Sequence, residues 1–253
     1  MRLLFFGISI LFIKVEITSS VIKFNNSENA QLCICDSTKI IRNTSDIEGY
    51  TEFVSYSPGD EIKLFVSSNT KGFTVEVIKQ SIVPASLFKS KSNNGKVQHY
   101  NECSFAYGCN WELSEVIKLP LETQSGYYSI KLSNKNSFFE IPLIVKSRQK
   151  SKILCVASTN TWQAYNVWGG ASFYRYNLTD TCYKKLNKRW FSPMLSFERP
   201  YIEESDKYLG HRFNAELGLI HWLETENYSF DVITDFDIDK DPSILMGYFF
   251  HLF

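Results

Sequence analysis

The apolar run Ile153–Ala157 (ILCVA) constrains this chain more than any other stretch. Five consecutive apolar residues offer no polar face to water, so the run suits a short strand covered on both sides, as in a parallel sheet between helices. Downstream, Leu209, Phe213, Leu217, Ile220 and Leu223 recur at helical spacing over about 206–226, and Phe230–Thr234 follows as a second strand ending at Asp235. Strand, helix and strand in that order predict a right-handed crossover within an α/β sheet. Pro242 is placed to open a short helix over 242–248, and 249–253 reads as the start of a third strand.

Upstream the grammar differs. Ile62, Leu64 and Val66 alternate with polar neighbours, as do Phe73, Val75 and Val77, while Tyr128, Ile130 and Leu132 and the stretch Phe138–Val145 add further strands. Pro58-Gly59-Asp60 and Ser125-Gly126 supply turns between them. Short alternating strands without a helical period predict an immunoglobulin-like β-sandwich over 49–147, preceded by an irregular arm over 21–48. Residues 81–101, rich in Ser, Lys and Asn, read as a long surface connection. The basic SRQK at 147–150 marks the passage to an α/β domain over 151–253.

Lys+Arg and Asp+Glu each number 27, so no net field steers the chain toward nucleic acid or anionic lipid. The first 20 residues hold an early Arg2, an apolar core over 3–13 and small polar residues, the pattern of a signal peptide. That core is shorter than the roughly 18–20 residues a spanning helix needs, so the mature chain is expected in the secretory lumen or outside the cell, with no membrane partner. Sequons at Asn25, Asn43, Asn177 and Asn227 agree with export as candidate glycosylation sites. Six cysteines permit up to three disulfides; Cys103 and Cys109 bracket a short loop and are the expected pair, whereas mid-strand Cys155 is expected to be a buried thiol.

Residues 160–174 (NTWQAYNVWGGASFY) leave the carboxyl end of the first parallel strand, where open α/β sheets bind ligands. The stretch reads as a binding loop, with Asn160, Trp162, Gln163, Asn166 and Trp168 as candidate pocket residues and Tyr165 as a further ligand. The competing expectation is that Trp162, Trp168 and Phe173 plug the sheet edge or pack on the preceding domain. Neither GxSxG, HExxH, a phosphate loop nor GxGxxG occurs. Asp235, Asp237, Asp239 and Asp241 fail as a calcium loop, because Lys240 stands where glycine is required and Met246 where a bidentate glutamate is; they are expected to cap the next helix or line the strand-end cleft. A calcium-dependent adhesion module therefore ranks last.

The words ILCVASTNTWQAYNVWGGASFY, LSFERPY at 195–201 and HWLETENYSFDVITDFDID at 221–239 resemble the C-terminal domain of the N,N-dimethylformamidase large-subunit family, and YSPGDEIKLFVSS and SGYYSIKL resemble the β-rich domain that precedes it. The resemblance implies a class I glutamine amidotransferase-like (flavodoxin-like) α/β layer and a ferric ion held by two tyrosines and a glutamate. Residue by residue, the tyrosines are Tyr165 and Tyr201. The family's glutamate stands in an HxEYW-like word with no match in this chain, which ends at GYFFHLF; Glu198, Glu203, Glu204 and Glu224 occupy other motif positions. On that ground the chain is expected to be a fragment whose parent is an iron-dependent amidase acting on small amides, inactive as it stands. The alternative is a non-catalytic secreted binding glycoprotein. Whether the chain forms oligomers is open.

Overall fold

The computed structural model of the chain describes residues 38–148, 150–173, 194–202 and 213–252, together with the strand pair Ile17–Thr18 and Val21–Ile22. The apolar leader core at 3–13, most of the 21–48 arm and the sequons at Asn25 and Asn177 lie outside the described residues.

Two antiparallel sheets share one core. The first orders β6 (Glu115–Lys118), β3 (Glu61–Ser68) and β1 (Ile47–Thr51). The second orders β2 (Ser55–Tyr56), β8 (Phe138–Val145), β7 (Gly126–Ser133), β4 (Phe73–Lys79) and β5 (Ala85–Ser92), antiparallel except where β2 meets β8. Ile62, Leu64 and Val66 of β3 face Val75, Val77, Ile130, Leu132 and Leu143 of the other sheet, all fully buried. Alternation in the sequence becomes an inner and an outer face, and each buried aliphatic side chain contributes about 1.5–3 kcal/mol.

One expectation fails here. The stretch read as a surface connection contains β5, paired along β4 at the sheet edge. Most of its side chains are exposed or half-buried. An edge strand needs no apolar face to form its ladder, so its sequence carries no alternation to read.

The second architecture is a three-stranded parallel sheet in the order β10 (Phe230–Thr234), β9 (Ile153–Ala157), β11 (Phe250–Leu252). Cys155 and Ala157 pack with Val232 beneath helix α3 (Phe213–Thr225), through Phe213, Ile220 and Leu223. Leu154 and Val156 join Ile233 on the opposite face, under Ile238 of α4 (Asp235–Lys240) and Ile244, Leu245 and Tyr248. A strand with a core on each face has no place for a polar residue, which accounts for ILCVA. The first strand lies between the next two, so its carboxyl end is a topological switch point. The helix expected over 242–248 is a shorter 3-10 turn, Pro242–Leu245, and α4 before it went unpredicted. The chain is therefore a β-rich sandwich joined to an α/β sheet.

The two layers touch. Tyr127 and Ile144 of the sandwich belong to the cluster under α3, and Val232 N donates to Ser125 Oγ at 2.8 Å. Cys155 is a buried free thiol, as expected, its pKa pushed up to about 12 by burial and by Asp231. The Cys103–Cys109 pairing is overturned: Cys103 is disulfide-bonded, but Cys109 is a free buried thiol. Helix α1 (Ser104–Tyr107) fills the short loop between them, and Cys109 is drawn into an aromatic cluster with Tyr50, Trp111 and Trp168.

Candidate functional site

β9 runs almost directly into helix α2 (Thr159–Tyr165), so the first half of the expected loop is helical. Asp235, just past the end of neighbouring β10 at the first position of α4, accepts from Thr159 Oγ1 at 2.5 Å and from Asn160 N at 3.0 Å. An anionic acceptor there satisfies donors that a helix start leaves unpaired. Two of the other acids also cap: Thr234 and Asp237 form a capping box on α4, and Asp241 accepts from Ser243 N.

Trp162 is 2% exposed, set edge-on to Phe213 and tilted against Tyr127. Its Nε1 donates to Glu216 Oε1 at 3.1 Å; Ser158 N donates to the same oxygen at 3.2 Å, and the Tyr127 hydroxyl to Oε2 at 2.9 Å. Burial pushes the Glu216 carboxyl above its ordinary range, opposed by these hydrogen bonds from Trp162, Tyr127 and Ser158. Glu216 thus ties α3 to α2 and to the sandwich. Its signal in the sequence is an acid one residue before Leu217, on the apolar stripe of the helix.

Trp168 packs the other way. Its ring lies 4.5 Å from Tyr100 and edge-on to Trp111 at 6.0 Å, and its Nε1 donates to Glu48 Oε2 at 3.0 Å. Glu48 is 4% exposed; burial raises its pKa, and hydrogen bonds from Trp168, Asn43 and Ser45 oppose the rise. The turn that aims Trp168 needs Gly169 and Gly170, at φ 79° and 93°, conformations glycine adopts without a side-chain penalty.

Asn166 is fully buried and binds with both ends of its amide. Nδ2 donates to Gln163 Oε1 at 3.1 Å and Pro200 O at 3.0 Å, while Oδ1 accepts from Trp168 N and Ile202 N, both at 3.1 Å. Beside it, Arg199 is 1% exposed and donates to the carbonyls of Trp168, Ala171, Asn166, Gln163 and Ser196. Burial lowers its pKa to about 10, which leaves it charged at neutral pH. A guanidinium satisfied by carbonyls holds three backbone turns in one arrangement. Neither Arg199 nor Glu216 was singled out in the sequence; for Arg199 the clue is a charge enclosed by Phe197, Pro200 and Tyr201.

The clamp places both candidate tyrosines. Tyr165 precedes Asn166, and Tyr201 sits between Pro200 and Ile202, both of which Asn166 grips. Adjacent Cα atoms are about 3.8 Å apart, so each tyrosine backbone lies one step from the clamp. Their side chains differ in setting: Tyr165 is 37% exposed, whereas Tyr201 packs against the cluster of Trp162 and Phe213, with its hydroxyl oxygen buried. Of the expected pocket residues, Asn160 is exposed, and Trp162, Gln163, Asn166 and Trp168 each show at most 7% of their surface. The tryptophans serve as packing on opposite sides of the clamp. Among the described residues, no group of three or more His, Cys, Asp or Glu side chains is placed to hold a metal ion, and no helix is long and apolar enough to cross a membrane.

Fold and site define a class: a β-sandwich joined to a parallel α/β sheet, with its candidate site clamped at the carboxyl end of the switch-point strand. Residues 80–252 match the family model described as N,N-dimethylformamidase beta subunit-like, C-terminal, and the chain belongs to that family, which is named for an amide hydrolase. No curated protein matches the chain.

Proposed function

We propose that this chain serves an exported amidase-like hydrolase that cleaves the C–N bond of small amides, with Tyr165 and Tyr201 as two ligands of a ferric ion. The single observation that carries this reading is the Asn166–Arg199 clamp, which fastens the NTWQAYN and FERPY words to each other and sets both tyrosines beside one buried asparagine. Their donor chemistry fits: phenolic oxygens are hard ligands suited to a hard, highly charged cation. When bound, such an ion would polarise an amide carbonyl and lower the pKa of a water. The chain's own contribution is position. Asn166 and Arg199 hold the backbones that carry the two tyrosines, Asp235 fixes the start of α2, and Asn160 is exposed beside it to meet a substrate amide. The third oxygen donor is assigned to no residue here. Within the same reading the sandwich is immunoglobulin-like, supported by its two facing antiparallel sheets, and the α/β layer is glutamine amidotransferase-like, supported by the order β10-β9-β11.

The test is optical. Iron-loaded protein should show a tyrosinate-to-iron charge-transfer band that Tyr165→Phe and Tyr201→Phe each weaken or abolish. Full amidase activity in colourless, iron-free protein would sink the assignment. A non-catalytic secreted binding glycoprotein is the second reading, favoured by the packing of Trp162 and Trp168, which takes both rings away from substrate. Equilibrium dialysis separates the two: a cooperatively folded chain that retains no ferric iron supports the second.

A further inference from the structure

We propose that Asn227 carries an N-linked glycan whose first sugar covers the exposed Trp222–Tyr228 pair, and that the Asn43 sequon stays bare. The proposal rests on the export reading and is independent of the chemistry at the tyrosines.

Helix α3 closes on Asn227. Asn227 N donates to Glu224 O at 3.1 Å and Tyr228 N to Leu223 O at 2.9 Å, the paired bonds of a Schellman closure. Asn227 takes the left-handed conformation this closure needs, φ 58°. Glycine is commonest there, and asparagine is the usual alternative that still carries a side chain. Its backbone is thus fixed, and the residue is exposed. Trp222 and Tyr228 are 53% and 51% exposed, with ring centroids 5.9 Å apart, and Leu219 lies one turn back on the same helix. The two rings together offer an exposed amphipathic face of the kind found where one side is apolar and the other wet, and such a face can stack on the C–H face of a sugar. The occupant with the shortest tether is a glycan on Asn227, the residue next to Tyr228.

Asn43 is the contrast. Its Nδ2 donates to the buried carboxylate of Glu48, and its Oδ1 accepts from Ser45 N at 2.9 Å, so both ends of the amide are in use. Glu48 in turn holds Trp168. A sugar at Asn43 would crowd the contact that docks the candidate site on the sandwich, and chains modified there would fold less well. At Asn227 nothing is displaced.

The modification forms a bond from Asn227 Nδ2 to the anomeric carbon of an oligosaccharide carried on a lipid pyrophosphate. The sugar–phosphate bond breaks, the lipid pyrophosphate leaves with the electron pair, and Nδ2 loses one proton. The test is to express the full chain in a eukaryotic secretory host, remove glycans enzymatically in heavy-oxygen water and map the labelled aspartates by mass spectrometry. Label at Asn227 with none at Asn43 is expected; label at Asn43, or none at Asn227, overturns the proposal. Ser229→Ala should lose one glycan's mass and raise acrylamide quenching of Trp222, read against Trp222→Phe. Unchanged quenching overturns the covering role. A chain that stays in the cytosol overturns the export reading and this proposal with it, leaving the iron–tyrosinate test unaffected.

Discussion

Arg199 organises the candidate site through backbone carbonyls. Its guanidinium satisfies carbonyls from three separate turns, at Gln163 and Asn166, at Trp168 and Ala171, and at Ser196. Arg199→Ala strands those acceptors in a buried site, at about 1–3 kcal/mol for each that water cannot reach, so a loss of at least ~3 kcal/mol is expected in urea unfolding. Arg199→Lys should recover only part of it, because an ammonium has three donors and no planar fork. A loss within ~0.5 kcal/mol for Arg199→Ala would show that the turns hold without it.

At the scale of elements, α2 is short and depends on its ends. Seven residues make under two turns, too little for a helix to persist on its own hydrogen bonds. Asp235, the first residue of α4, caps one end, and Asn166 clasps the other to Pro200 and Ile202. Asp235→Ala should cost about 1 kcal/mol by thermal or urea unfolding, the usual worth of a cap, and should speed amide exchange at Asn160 and Thr161 before any change in the sandwich. Equal exchange in both would show that α2 draws its stability elsewhere.

Across the whole molecule, three carboxylates, two buried and that of Glu216 half-buried, link the layers: Glu48 to Trp168, Glu216 to Tyr127, and Asp237 to Ser55 and Lys146. Burial alone would raise the Asp237 pKa, but hydrogen bonds from Thr234 and Lys146 and the Lys146 charge outweigh it, and the net shift is downward from 3.8. A depressed folded pKa means stability that is full above the unfolded value and lost as pH falls through the folded one. Asp237→Asn should therefore destabilise the protein at neutral pH, by an amount that shrinks below about pH 4. Melting curves across that range check it; a pH-independent difference would place the cost in packing instead.

Much of this was legible in the sequence. ILCVA read as a strand with a core on each face, because it has no polar residue to turn toward water. Alternation at Ile62–Val66 and Phe73–Val77 predicted the facing sheets, because each strand needs one inner and one outer face. Periodicity failed at β5, whose edge position demands no pattern, and loop length misled at Cys103 and Cys109, where α1 occupies the space between. The sequence also flagged NTWQAYN and FERPY as separate words. Only tertiary structure joined them, because Asn166 and Arg199 act on residues some thirty positions away, and a hydrogen bond across that distance leaves no period to read. The same holds for the two tryptophans: their burial depends on which layer reaches them, a fact of packing that composition cannot carry.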